Sequence, residues 1–195
     1  MKQKKWLYAA AALLAVFVIY GVVTYNGLVK KQEAADKYWA DVERTYQRRA
    51  ELIPVLVQTV KGMAGFEKET LERITAARTK LESVQLNGTG SASVQEQEAL
   101  QKEVAVNANR LIAVIESYPN LRGTEGFLGL QTQMEGTERR IRVARQDYNE
   151  AVNKYNVAVR TFPSSLIAGM TGFKIRQGFA ADPGSEKAIE IKFNQ

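Results

Sequence analysis

A helical stripe of small and apolar residues runs through the C-terminal half of the chain and limits how it can fold. Its positions alternate between intervals of three and four residues: Phe127, Leu130, Met134, Thr137, Ile141, Ala144, Tyr148, Ala151, Tyr155, Ala158 and Phe162. An α-helix places such residues on one face. A helix from Thr124 to Thr161 would be about 57 Å long. Because it cannot bury this stripe alone, it must pack lengthwise on other long helices, in the manner of a coiled coil or bundle.

The same stripe contains a seven-residue repeat, in which Tyr148-Asn149 is followed by Tyr155-Asn156. The spacing favours core tyrosines whose hydroxyl groups are hydrogen-bonded at the bundle edge; the alternative is an interaction site. Four arginines precede the repeat. They either form a solvated helix surface with nearby acidic residues as ion-pair partners, or they bind an acidic partner or lipid headgroups. The candidate interaction residues here are Tyr148, Asn149, Tyr155, Asn156, Arg139, Arg142 and Arg145.

The N-terminal segment from Trp6 to Val23 carries no charge and, as a helix, would cover about 27 Å, close to the thickness of a bilayer core. Its anchor residues are Trp6, Leu13, Leu14, Val16, Phe17, Val18, Ile19, Val22 and Val23. A cleaved signal peptide has a shorter apolar core followed by a site of small residues. The only alanine cluster, residues 9–12, comes too early for such a site. The sequence therefore favours an uncleaved signal anchor over residues 1–29.

The orientation of this anchor is left open by the flanking charges. Lys2, Lys4 and Lys5 favour a cytoplasmic N-terminus and a helical body outside the cytoplasm. Basic residues also follow the span, at Lys30 and Lys31, and weaken that bias. We expect a single-pass protein with an extracytoplasmic body.

The anchor is predicted to continue into the body as one helix. The three-four spacing extends through Tyr25, Leu28, Gln32, Ala35, Trp39, Val42 and Tyr46. Pro54 predicts a kink in this helix.

Residues 85–93 are predicted to form a loop. Ser93 and Glu96 form a capping box that predicts the start of a further helix, whose apolar face contains Leu100, Val104, Asn107, Leu111, Val114 and Tyr118. The fold class is therefore all-α: an anchor helix leading into an elongated antiparallel bundle that spans residues 30–175.

The C-terminal region changes character after Pro163. Residues 165–173 predict a short helix that either packs on the bundle end or dips into the bilayer surface, and packing is favoured. Residues 176–195 are predicted to be an extended tail. Ile189, Ile191 and Phe193 alternate with charged residues at the spacing of a strand. Their side chains either fill a groove on the same bundle, which is the favoured interpretation, or pair with a neighbouring protein by strand addition.

The residue inventory excludes most catalytic chemistry. The chain has no Cys and no His, so thiol nucleophiles, imidazole bases and the usual zinc or di-metal bundle sites cannot form. Half of the net charge of +6 comes from the three N-terminal lysines, which leaves no concentrated basic surface for nucleic acid. We expect no cofactor, metal, small-molecule substrate or enzymatic activity.

Several segments of the chain together resemble the LemA family of bacterial membrane proteins. They are YNGLV (25–29), RRAELIPVLVQTVKG (48–62), ARTKL (77–81), ESYPNLRGTEGFLGLQ (116–131), TERRIRVARQDYNEAVNKYN (137–156), FPSSLIAG (162–169) and GFKIRQGF (172–179). The resemblance implies a bacterial inner-membrane location, one N-terminal membrane helix, an elongated helical bundle and no established catalytic activity. It also implies an N-terminus outside the cell, opposite to the orientation that the lysines favour.

Two functions follow as expectations. The family is also similar to a magnetosome membrane protein needed to make that organelle's membrane, which implies a membrane-organising role. The first expectation is a self-associating scaffold that forms homo-oligomers in the lipid bilayer. The alternative is an adaptor that binds a membrane or periplasmic protein such as a protease.

Overall fold

The computed structural model describes residues 2–61, 94–116 and 125–180, together with single positions at 72, 76 and 79. The regular structure in these ranges consists of four helices: α1 (Lys2–Lys61), α2 (Val94–Glu116), α3 (Glu125–Arg160) and α4 (Ser164–Thr171). The expected all-α class, with a long apolar N-terminal helix and a bundle of long helices, is confirmed. The expected loop at residues 85–93 lies outside the described residues.

Helix α1 joins the apolar segment to the bundle without a break, and Pro54 lies inside it. The apolar part of α1 has the length and composition expected of a membrane span. None of the residues in its most apolar stretch is buried within the protein. Trp6, Leu13 and Phe17 are among the exposed side chains. Side chains this apolar are stable in an exposed position when lipid surrounds them.

Helix α3 packs antiparallel along the full extramembrane length of α1. Three groups of buried residues mark the contact. The distal cluster contains Leu52, Ile53, Leu56, Val104, Ala108, Phe127, Leu130 and Met134. The central cluster contains Ala35, Val42, Tyr46, Ile141, Ala144, Tyr148, Ala151, Val152 and Phe179, and the membrane-proximal cluster contains Leu28, Tyr155, Val159 and Ala168.

The predicted stripe of α3 is buried from Phe127 to Tyr155. Ala158 is half-buried and packs on the membrane-proximal cluster. Phe162 is 76% exposed, so its prediction as a core position is wrong. The physical reason is that α3 ends at Arg160, so Phe162 no longer follows the helical phase that buries the stripe.

Helix α2 runs in the same direction as α1, because its start at Val94 packs on the central cluster while Val104 and Ala108 belong to the distal cluster. Its core face agrees in part with the expectation, since Val104 and Asn107 are buried as predicted, but the first turns of the helix differ. Gln97 and Gln101 are buried beside Val104, whereas Leu100 is only half-buried. Because the core positions 97 and 101 are occupied by glutamine, apolar periodicity in the sequence does not reveal this part of the face.

Helix α4 packs on the end of the bundle beside α1. A Cβ atom placed on Gly21 would lie 3.9 Å from Ile167 Cδ1, and the Tyr25 and Phe173 ring centroids are 5.7 Å apart. Gly172 ends α4 with φ 81°, a backbone conformation that glycine adopts without strain. Residues 173–180 then form neither helix nor strand and turn back along α3.

A Tyr–Asn ladder as the candidate functional site

Two asparagines on α3 bind the backbone of the segment that follows α4. Asn156 accepts a hydrogen bond from the Arg176 amide at 2.9 Å and donates one to the Arg176 carbonyl at 2.8 Å. Asn149 does the same with Phe179, at 2.8 Å and 3.1 Å. Each carboxamide therefore pairs with both the donor and the acceptor of a single residue, as a neighbouring β-strand would.

The two tyrosines add a carbonyl contact beside each asparagine. The Tyr155 hydroxyl donates to the Lys174 carbonyl at 2.9 Å, and the Tyr148 hydroxyl donates to the Gln177 carbonyl at 3.2 Å. We call Tyr148, Asn149, Tyr155 and Asn156 the Tyr–Asn ladder. Because all of these bonds go to backbone atoms, the ladder binds the main chain of an extended segment.

The seven-residue repeat of the ladder matches three residues of its bound segment. Seven residues of α-helix rise about 10.5 Å, and three residues of extended chain span about 10 Å. Accordingly, Tyr155 and Tyr148 contact Lys174 and Gln177, while Asn156 and Asn149 contact Arg176 and Phe179. This agreement between the two repeats lets one helix hold an extended segment at successive, equivalent positions.

Side-chain contacts fix the far end of this segment. Phe179 is buried, stacks on Trp39 with ring centroids 5.9 Å apart, and meets the Tyr148 ring edge-on at 5.5 Å. The Arg145 guanidinium lies 4.6 Å from the centroid of the Phe179 ring, a cation–π distance. A Cβ on Gly178 would lie 2.7 Å from Asn149 Oδ1, so this close approach requires glycine.

An ion pair also joins the segment to α1. Arg176 binds Asp36 through both of its terminal nitrogens, one of them at 3.1 Å from Asp36 Oδ2. The guanidinium lies 5.7 Å from the Tyr155 ring centroid. The segment is thus held by α3 through its backbone and the Phe179 ring, and by α1 through the side chains of Arg176 and Phe179.

The arginines predicted as candidates have separate positions. Arg139 and Arg142 are exposed on α3, whereas Arg145 is half-buried and forms an ion pair with Glu98 of α2. The ion pairs of Arg145 and of Glu138 both join α3 to another helix. Glu138 lies 2.5 Å from Arg49 of α1. These partners are distant in sequence, so helical spacing could not identify them.

Arg49 is a residue that the sequence did not single out. It is 4% exposed, and its Nη1 atom lies 3.1 Å from both the backbone carbonyl and the side-chain oxygen of Gln101. Together with Arg142 and Arg145 it lines a cleft of about 310 Å³ between the helices. The two carboxylates of this cleft, Glu98 and Glu138, are both paired with arginines.

The buried tyrosines have altered acidity. Burial raises the pKa of Tyr46 to about 12, against the opposing influence of Arg145 and Arg49. Burial also raises the pKa of Tyr148 and of Tyr155, against the opposing influence of Arg176. Desolvation disfavours the charged phenolate, so these groups remain neutral hydrogen-bond donors in the folded protein at neutral pH.

The raised pKa of Tyr46 predicts a loss of stability in alkali. An unfolded tyrosine ionises near pH 10 and the folded Tyr46 near pH 12, so the unfolded state releases its proton first. We expect the free energy of unfolding to fall by about 2 kcal/mol between pH 10 and pH 12 from this residue. Denaturant titrations of the wild type and Tyr46→Phe at both pH values measure its share. An equal decline in the two proteins would contradict the assignment.

Within the ranges that the structure describes, no group of three His, Cys, Asp or Glu residues is placed to hold a metal ion.

Comparison with known proteins identifies the family. A sequence profile described as the LemA family matches residues 38–193, most of the chain. The chain belongs to the LemA family. The segments that suggested a LemA protein lie mainly within this range, and the Tyr–Asn ladder with its bound segment lies entirely within it.

Named relatives of this LemA chain are membrane-related bacterial proteins. The chain is 26% identical over 198 residues to magnetosome protein MamQ 1 of Paramagnetospirillum magneticum and, equally, to magnetosome protein MamQ of Magnetospirillum gryphiswaldense, covering 90% of this chain and 72% of each relative. It is 22% identical over 167 residues to protein LemA of Metamycoplasma hominis, covering 85% of this chain and 74% of the relative. None of these names describes an enzyme. With the apolar span of α1, these relatives support a bacterial membrane location.

Proposed function

We propose that this LemA protein is a non-enzymatic, single-pass scaffold of the bacterial inner membrane that self-associates in the plane of the bilayer. The observation that carries the proposal is the continuity of α1, which joins the membrane span to the bundle core without a break. From Val23 to Lys61 this helix rises about 57 Å. Every protomer therefore presents the same surfaces at the same height above the bilayer.

The Tyr–Asn ladder supports the proposal because it fixes the position of residues 174–179, from which the C-terminal tail continues. The bound segment runs away from the membrane, from Lys174 beside Tyr155 to Phe179 beside Tyr148. Phe179 stacks on Trp39, which lies about 24 Å beyond Val23 along α1. The tails of neighbouring protomers thus start at matching heights, a geometry suited to lateral contact through Ile189, Ile191 and Phe193. These three residues lie outside the described part of the chain.

The paired carboxylates of the cleft support a function without catalysis. A general acid or base needs a carboxyl group that is free to exchange a proton with a substrate. Glu98 and Glu138 instead neutralise Arg145 and Arg49. The relatives named MamQ are magnetosome proteins, and a membrane-organising role for this chain is consistent with those names.

Self-association predicts a mass above that of one protomer. We expect the detergent-extracted full-length chain to form oligomers, and the triple variant Ile189→Ser, Ile191→Ser, Phe193→Ser to dissociate at least tenfold more readily, since it removes the apolar face of the tail. Deletion of residues 186–195 tests the same contact. The matched control is Glu190→Gln with Lys192→Gln, which changes only the alternate face. Sedimentation or light scattering gives the mass, and a monomer at every concentration would reject the scaffold.

The second candidate function is that of an adaptor for a membrane or periplasmic protein partner. It is favoured by the backbone-directed chemistry of the Tyr–Asn ladder, which would accept an extended segment of another protein in place of residues 174–179. Crosslinking in intact membranes separates the two functions. Crosslinks between copies of this chain support the scaffold, and crosslinks to a different protein support the adaptor.

A further inference from the structure

The tip of the bundle, defined as residues 161–173, combines the turn after α3 with helix α4. It contains no charged side chain. One face of the tip packs inward through Ala168, Ile167 and Phe173. The opposite face exposes Phe162, Leu166 and Met170, which are 76%, 55% and 81% exposed. Leu166 and Met170 lie one helical turn apart on one side of α4, and Phe162 lies in the turn that precedes this helix.

The tip lies at the level of the membrane-spanning part of α1. Ile167 lies 3.9 Å from where a Cβ atom on Gly21 would be, inside the apolar segment, and the Phe173 ring meets the Tyr25 ring edge-on. The uncharged part of α1 extends from Trp6 to Val29, about 36 Å of helix. A bilayer core is about 30 Å thick, so the last turns of this uncharged length, where α4 packs, reach the interfacial layer.

The polar groups of the tip are suited to a lipid environment. The Thr161 and Thr171 hydroxyls donate to the Val157 and Ile167 carbonyls, at 2.7 Å and 2.6 Å. The Ser164 hydroxyl lies 2.6 Å from the Ala158 carbonyl and 2.7 Å from the Thr161 carbonyl. Side chains bonded in this way lose little on transfer out of water, because their donors already have partners.

A basic residue lies at each end of the tip in the sequence. Arg160 ends α3 and Lys174 follows Phe173, and both side chains are exposed. Basic side chains at the edge of an apolar surface can place their charges among lipid phosphates while their aliphatic stems stay in the apolar layer. The charge pattern and the depth of the tip therefore indicate the same occupant.

From these observations we propose that α4 is a second membrane contact, which inserts Phe162, Leu166 and Met170 into the bilayer leaflet next to the bundle. The occupant of this face is lipid. The surface is continuous with that of the anchor, since α4 packs directly on α1. Insertion at two places would hold the bundle at a defined angle to the membrane, which a single helix does not do by itself.

Single-cysteine labelling tests the proposal on the full-length protein in liposomes, because the chain has no native cysteine. Leu166→Cys and Met170→Cys probe the tip. Leu128→Cys, which replaces a 49% exposed residue near the other end of α3, is the matched control. We expect an environment-sensitive fluorophore at 166 or 170 to be quenched by spin-labelled lipids, and the free thiols to react about tenfold more slowly with an impermeant reagent than Cys at 128.

Two outcomes would overturn the proposal. If positions 166, 170 and 128 are equally reactive and equally unquenched, the tip lies in water. If 166 and 170 are protected without lipid quenching, and the protection disappears at one protomer per vesicle, a second copy covers this face instead of lipid. Circular dichroism of each variant establishes that the bundle is folded, so a negative result cannot come from unfolding.

Discussion

The double variant Asn149→Ala, Asn156→Ala is expected to release the segment after α4 from the bundle while α1 and α3 stay packed. Each asparagine makes two hydrogen bonds to one backbone unit. A net gain of about 1 kcal/mol per bond gives roughly 3–4 kcal/mol for the pair. The equilibrium between bound and released segment should therefore shift by about 10²-fold or more. Hydrogen exchange at the Arg176 and Phe179 amides measures this shift directly.

Matched variants separate the ladder from general effects on α3. Asn153→Ala changes an exposed asparagine of the same helix and should leave exchange at both amides unchanged. Asn149→Asp keeps the acceptor for the Phe179 amide and removes the donor to its carbonyl, so it should give an intermediate effect. Trypsin cleavage after Lys174 and Arg176 provides a second readout. Unchanged exchange in the double variant would show that the tyrosine hydroxyls and the side chains of Arg176 and Phe179 hold the segment without the asparagines.

Replacing Tyr155 by alanine is expected to cause the largest loss of global stability. Tyr155 is 2% exposed and occupies the membrane-proximal cluster beside Leu28 and Val159. Removing a buried aromatic ring leaves a cavity and costs about 3–5 kcal/mol. For a domain of this size the melting temperature should fall by roughly 10 °C. Denaturant and thermal unfolding in detergent micelles, with helical circular dichroism as the signal, give both quantities.

Two further variants divide this loss into its parts. Tyr155→Phe keeps the ring and removes only the hydroxyl that binds the Lys174 carbonyl, so it should cost about 1 kcal/mol. Val157→Ala truncates a 54% exposed side chain of the same helix and should change stability by about 0.5 kcal/mol or less. A Tyr155→Ala protein as stable as Val157→Ala would mean that the membrane-proximal cluster contributes little to the fold.

The asparagine and Tyr155 variants affect different parts of the same site. The asparagines act on the extended segment and leave the helical core intact, whereas Tyr155 belongs to both the ladder and the core. A protein can therefore lose the segment without losing its fold. That separation matters for the proposed function, because self-association through the tail depends on where the segment leaves the bundle.

Helical spacing in the sequence was sufficient to predict most of the fold. The stripe from Phe127 to Tyr155 and the buried positions Leu28, Ala35, Val42 and Tyr46 of α1 agree with it. The prediction succeeded because helical periodicity is local: residues three and four apart share a face whatever the partner is. It failed at Phe162, which lies beyond the end of α3, and in the first turns of α2, where two buried glutamines depart from apolar periodicity.

Only part of the candidate site could be predicted from the sequence. The sequence displayed the Tyr–Asn repeat, and the structure agrees with the core interpretation: the tyrosine rings are buried while their hydroxyls bind the carbonyls of Lys174 and Gln177. The signal that could have completed the prediction is the adjacent asparagine pair, since a carboxamide can match a backbone N–H and C=O together. Arg49 gave no such signal, because its partners on α2 and α3 are remote in sequence.

By itself, the sequence determined the apolar N-terminal helix, the long helices and the absence of cysteine and histidine chemistry, since these depend on residue type and local spacing. Tertiary structure alone decided that Asn149 and Asn156 bind residues 179 and 176, that Arg145 pairs with Glu98, and that α4 lies level with Gly21. Each of these contacts joins residues between 20 and 146 positions apart in the chain. Their geometry is set by how whole helices pack, which no local pattern encodes.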